Sequence, residues 1–142
     1  MKQHIRTISN IVIHCTATPQ DTTVKSILDY WKSKGWRNPG YHHLIEADGT
    51  VHNLLDHRFV ANGVKGHNHN SIHISYIGGV NDKGKPKDNR TKEQKQALRN
   101  TIDEVMWKNY VPANVNILGH RDFKGVRKAC PSFDVKKWYE TS

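Results

Sequence analysis

Ile11-Val12-Ile13-His14-Cys15-Thr16 decides how the rest of this chain reads. Its β-branched run fits a short buried strand, and that strand ends on a histidine. Open α/β sheets bind ligands outside the carboxyl ends of their strands, which makes His14 a candidate site residue by position alone. The pattern returns late in the chain, where Val115 to Leu118 is again short and apolar and runs into Gly119-His120. Two strands that each deliver a histidine at the same end are the chain's main clue.

Other elements follow outward from these two. Ser71 to Ile77 alternates Ile72, Ile74 and Tyr76 with His73 and Ser75 and closes in Gly78-Gly79, which predicts a third strand. Tyr41 to Glu46 and Thr50 to Leu54 flank Asp48-Gly49, a hairpin turn signal, with Tyr41 at the start of the hairpin. Val24, Ile27, Leu28 and Trp31 recur at helical spacing behind Thr22 or Thr23 as the cap, and Gly35 can end that helix. Thr91 with Gln94 resembles a capping box for a second helix that carries Leu98, Ile102, Val105 and Met106 and runs to about Asn109. Ser132 is expected to cap a short last helix burying Phe133, Val135 or Trp138. Residues 56 to 70 turn to Asn, Gly and His without a period and predict a long surface loop, a type that often carries function. A basic loop joins His120 to Pro131. The expected fold is α/β, a single domain over residues 1–142 with a central mixed β-sheet flanked by about three helices.

Length and composition narrow the function. With 142 residues, 35% hydrophobic and 25% charged, the chain suits one core and excludes bulk disorder. No apolar run approaches the roughly 20 residues that cross a bilayer, so membrane insertion is not expected. Met1-Lys2-Gln3-His4-Ile5-Arg6 lacks the form of a signal peptide, and synthesis in the cytoplasm is the expectation. Lys and Arg number 22 against 13 Asp and Glu, a surplus of nine that favours encounter with polyanions. Those charges are scattered, and the chain shows neither zinc-finger spacing nor an aromatic-rich basic motif, so nucleic acid is not the expected partner. Two cysteines, Cys15 and Cys130, do not make a disulfide scaffold. A monomer is the default.

His14, His120 and Cys130 together offer two imidazole nitrogens and one thiolate, a donor set suited to zinc. Catalytic zinc sites use three protein ligands and leave a fourth position to water or substrate, whereas a structural site would want a fourth protein ligand. The only other thiol, Cys15, adjoins His14 along a strand and should therefore point to the opposite face. Spacing alone is weak support for such a site, because ten histidines offer many chance matches.

Five blocks strengthen it: IVIHCTAT at 11 to 18, GYHHLIEADGTV at 40 to 51, GHNHNSIHISYIGG at 66 to 79, GHRD at 119 to 122 and KACPSFD at 128 to 134. In this order they resemble the zinc amidase family that includes phage lysozymes with N-acetylmuramoyl-L-alanine amidase activity and the animal peptidoglycan recognition proteins. The resemblance covers almost the whole chain. It implies one zinc ion held by His14, His120 and Cys130, with Tyr41 and Lys128 as catalytic residues that stabilise the oxyanion formed at the cleaved amide. The implied substrate is peptidoglycan or a muropeptide, reached after release or dedicated export. Cys130 favours an enzyme over a recognition module, since non-catalytic members typically lack that cysteine. Asp122 is open between orienting a ligand and holding its loop through Arg121 or Arg127.

The chain also departs from the family pattern. Ala61-Asn62-Gly63 stands where members commonly carry Gly-x-His, which leaves His67 or His69 as candidate substitutes. The loop from His120 to Lys128 is slightly longer than in the phage enzymes, a difference expected to tune specificity. Trp31 is expected in the core, and Trp36, which follows Gly35, is left open between the cleft wall and packing elsewhere.

Overall fold

The computed structural model describes residues 6–141; Met1 to Ile5, and with them most of the stretch inspected for an export signal, lie outside. Five strands are present: β1 (Asn10–Cys15), β2 (His43–Ile45), β3 (Val51–Asn53), β4 (Ser71–Tyr76) and β5 (Asn116–Gly119). Three helices accompany them, α1 (Val24–Ser33), α2 (Lys92–Met106) and α3 (Val135–Thr141), and single 3-10 turns occupy Asn68–Asn70 and His120–Asp122. The strands form one mixed sheet in the order β3-β2-β4-β1-β5. β1 lies at its interior, parallel to both β4 and β5, and β2 runs parallel to β4 while β3 returns antiparallel to β2. Both short strands that end in histidine thus point the same way.

Strand alternation divides the sheet into two unlike faces. Ile11, Ile13, Cys15, Ile72, Ile74, Tyr76 and Ile45 form one face, packed against Leu98, Ile102 and Val105 of α2 and Phe133 and Val135 near the carboxyl end. The residues in between, His14 on β1 and His73 and Ser75 on β4, take the other face, where they are buried as polar groups. On that second face α1 sets Ile27 and Trp31 against Leu44 and Ile77. Truncating a fully buried core residue such as Ile102 to Ala would cost about 2–5 kcal/mol.

The helix signals hold with one exception. Thr23 caps α1 by accepting from the Ser26 N–H, and the Thr91–Gln94 capping box forms at α2. Gln94 does more than cap: buried under the helix, its amide donates to the Ile77 carbonyl at 2.9 Å and the Ile45 carbonyl at 3.3 Å, which ties α2 to two strand ends. The exception is Ser132. Asp134 caps the last helix, its Oδ1 accepting from the Lys137 N–H at 3.2 Å, while Ser132 takes a positive φ of 72° and donates its hydroxyl to the Gly79 carbonyl. The short side chain serves a sheet-to-loop contact instead.

Candidate metal centre

His14 and His120 come together because β1 and β5 are adjacent and parallel, with Ile13 level with Gly119. Cys130 has to be brought in from a separate segment. The Arg121 N–H donates to the Cys130 carbonyl at 2.9 Å, and a Cβ on Gly119 would fall 2.8 Å from Pro131 Cδ. Only glycine lets the Cys130-Pro131 segment approach this strand end so closely. The ligand atoms of His14, His120 and Cys130 lie within 4.8 Å of one another, the only such group of three or more among the described residues. Cys130 Sγ stands 3.8 Å from His14 Nδ1. In a tetrahedral zinc site, bonds of about 2.3 Å to sulfur and about 2.0–2.1 Å to nitrogen put adjoining ligands about 3.6 Å apart, so the residues present fit the ion.

The electrostatics also suit a cation. Burial pushes His14 well below the ordinary imidazole range, reinforced by His73, His120 and Lys128. Burial and then Lys128 push His120 down to about 4. Both rings are therefore neutral at pH 7 and can act as ligands. The Cys130 thiol is pushed up by its hydrogen bond with Cys15 and by burial, so metal binding must displace its proton. Cys15 and Cys130 are both free thiols. Cys15 Sγ turns to the core side, 4.0 Å from the Ser132 hydroxyl, as strand alternation predicts, but its backbone N–H donates to Cys130 Sγ at 3.2 Å.

Tyr41 lies just before β2, half-buried, its ring 5.0 Å from that of His14 and edge-on to Trp31 at 5.3 Å. Its hydroxyl donates to the Cys15 carbonyl at 3.3 Å. Burial, with Cys130 close by, raises its pKa above the usual phenol value, so it keeps its proton. Beside it a hollow of about 360 Å³ runs along α1, walled by Thr16, Thr18, Tyr30 and Trp31. Lys128 is exposed on the basic loop, near enough for its charge to be felt at His14, His120 and Cys130.

The remaining candidates separate. Asp122 holds its turn, Oδ2 accepting from the Gly119 N–H at 2.8 Å. Trp36 stacks on Trp31 and packs with the α1 cluster, away from the hollow's lining. His67 is exposed, its ring 4.5 Å from that of Phe123 on the loop after His120, and His69 is exposed as well. Sequence reasoning missed His73, whose Nδ1 lies 2.8 Å from His14 Nε2. The signal was available in the alternation of β4, which puts His73 on the same face as His14.

Comparison with known proteins places this geometry. Residues 4–133 match the family described as N-acetylmuramoyl-L-alanine amidase. The endolysin of Enterobacteria phage T3 is 40% identical over 136 residues, covering 94% of this chain and 87% of the phage protein. Two solved structures share the fold: the N-acetylmuramoyl-L-alanine amidase LysC from Clostridium intestinale, at 22% identity and a TM-score of 0.77 over 96% of this chain and 85% of that one, and bumblebee PGRP-SA, at 21% identity and 0.78 over 96% and 83%.

Proposed function

The chain belongs to the N-acetylmuramoyl-L-alanine amidase family, and we propose that it uses one zinc ion to hydrolyse the amide between N-acetylmuramic acid and the stem-peptide L-alanine of bacterial peptidoglycan. The observation that carries this reading is the meeting of His14, His120 and Cys130 ligand atoms within 4.8 Å, at strand ends and beside Tyr41. When bound there, zinc supplies Lewis acidity and lowers the pKa of water from 15.7 to about 7.

The protein's own groups do the rest. Attack of water on the lactyl carbonyl places negative charge on its oxygen, and hydrogen-bond donors fixed in a dry site stabilise that charge effectively. Tyr41 is suited to this task because its raised pKa keeps the hydroxyl protonated, so it donates a hydrogen bond without ionising. Lys128 adds positive charge near the three ligands and, with Lys124 and Arg127 on the same exposed loop, gives the approach a basic rim that attracts an acidic polymer. The C–N bond then breaks: the oxygen of that water stays on the lactyl carbon as part of a new carboxylate, and its protons pass to the alanine nitrogen, which leaves as an ammonium group. The hollow along α1 between Tyr41 and Thr16 is the natural place for part of the substrate chain.

Among the described residues no helix is long and apolar enough to cross a membrane, and access to the wall after release from the cytoplasm is part of the proposal. A peptidoglycan-recognition module without hydrolysis is the rival, prompted by the fold shared with PGRP-SA. Mass spectrometry of peptides released from purified peptidoglycan separates the two. We expect free stem peptides that vanish with chelator and return with zinc; binding without release, zinc being present, would establish the rival.

A further inference from the structure

His14 has two ring nitrogens, and only one faces Cys130. Its Nδ1 is 3.8 Å from Cys130 Sγ, while Nε2 points the other way, 2.8 Å from His73 Nδ1. A metal can use His14 only if the proton sits on Nε2. The surroundings of His73 determine where that proton goes.

The chain of assignments begins in the backbone. Asn68 Oδ1 accepts from the Gly63 N–H at 3.0 Å and the Val64 N–H at 2.7 Å, so this atom is the amide oxygen and only accepts. His73 Nε2, 2.9 Å from the same oxygen, must therefore carry a proton and donate. His73 is fully buried and its ring nitrogens meet only His14 and the Asn68 oxygen, with no carboxylate to support a charge, so the ring is neutral and its Nδ1 accepts. His14 Nε2 then donates to it, and His14 Nδ1 is left bare, facing Cys130. Each step is forced by the one before.

We infer that His73 is a positioning residue for the metal centre: through Asn68 it carries the fixed orientation of the Gly63-Val64 backbone to His14 and selects the ring nitrogen that binds zinc. This deepens the proposed function and rests on it for the identity of the ion. Space confirms how closely the parts are fitted. A Cβ on Gly63 would lie 2.3 Å from His73 Nδ1, so the imidazole occupies room that any side chain at residue 63 would claim. His73 is fully buried and touches no route for substrate, which separates it from a catalytic residue. Partners of this kind around a ligating histidine typically change metal affinity by about 10–100-fold.

The test uses the metal-free protein and zinc titration against a competing chelator. In ¹⁵N NMR spectra of the metal-free protein, His14 should be protonated on Nε2 and His73 on Nε2. His73→Leu should weaken zinc binding by about 10–100-fold and spread His14 over both tautomers. His73→Asn, which keeps an acceptor near the place of Nδ1, should recover most of the affinity. Gly63 has an ordinary backbone conformation, so Gly63→Ala should weaken zinc through the displaced His73 ring without backbone strain. Unchanged affinity in a cooperatively melting His73→Leu protein would overturn the inference. So would a wild-type spectrum with the His14 proton on Nδ1, which decides the matter even if the variant does not fold. Failure of wild-type protein to bind zinc would instead remove the metal reading and leave the tautomer result to stand separately.

Discussion

Among the described residues two histidine clusters stand out, and only one is built to hold something. At the strand ends, His14 and His120 meet Cys130 with ligand atoms converging on a shared point. At the flank, His42, His43 and His57 are just as deeply packed, yet their nitrogens are consumed by one another and by the chain. His42 accepts from the His73 N–H at Nδ1 and donates from Nε2 to the Phe59 carbonyl. His43 and His57 share a 2.7 Å contact between their Nε2 atoms, with Asn53 closing one end and the Tyr110 hydroxyl the other at 2.8 Å. Burial lowers the imidazole pKa in both clusters. What distinguishes a metal centre is therefore lone pairs left free and aimed together, with a thiol among them.

The comparison breaks most visibly at Cys130. Cys130→Ser should lose both retained zinc and stem-peptide release, read by elemental analysis and by mass spectrometry, and a fully active Cys130→Ser protein would end the distinction. Tyr41→Phe comes next: zinc content should be unchanged while turnover falls by about 10²–10³, the usual cost of losing one donor to an oxyanion. Lys128→Ala should also spare zinc and lower turnover, by less, because its charge acts from an exposed position.

Acidification of the metal-free protein probes the buried histidines of both clusters. His42 is held at about 3 and His57 at about 4, each chiefly by burial, against an ordinary value near 6.5. The unfolded chain therefore takes up protons first as pH falls below about 6.5, and stability declines until the folded-state values are passed. The loss should not exceed about 1.4 kcal/mol per pH unit for each histidine, measured by denaturant melts of the metal-free protein. The smallest effect belongs to Tyr110→Phe, which removes the hydroxyl that meets His57 Nδ1. It should cost roughly 1 kcal/mol of stability and leave zinc content and turnover untouched. A loss of zinc in that variant would join the two clusters into one.

Much of this was legible in the residues because local rules and global fold agree. Apolar alternation placed β1 and β4, helical spacing placed α1 and α2, and strand polarity brought His14 and His120 to one end. Ser132 misled because the capping rule sees a short hydroxyl before an apolar run and cannot see Gly79 waiting for it. Trp36 stayed open for a similar reason, since its stacking on Trp31 is a tertiary contact. The partners of His73 were out of reach of any pattern. They depend on the path of the 56–70 loop, whose polar composition carries no period, and on a missing side chain at Gly63.

The ligand set also spans the chain in a way that has a consequence for its synthesis. His14 and Cys130 are separated by 116 positions, and both must be in place with β5 between them before three donors converge. A growing chain still on the ribosome would carry the first ligand long before the last, with β2 to β5 made in between. Contacts at such separation form late, since the intervening loop must first be closed. The set of three donors would thus arrive together with completion of the sheet, and no half-built molecule would present it.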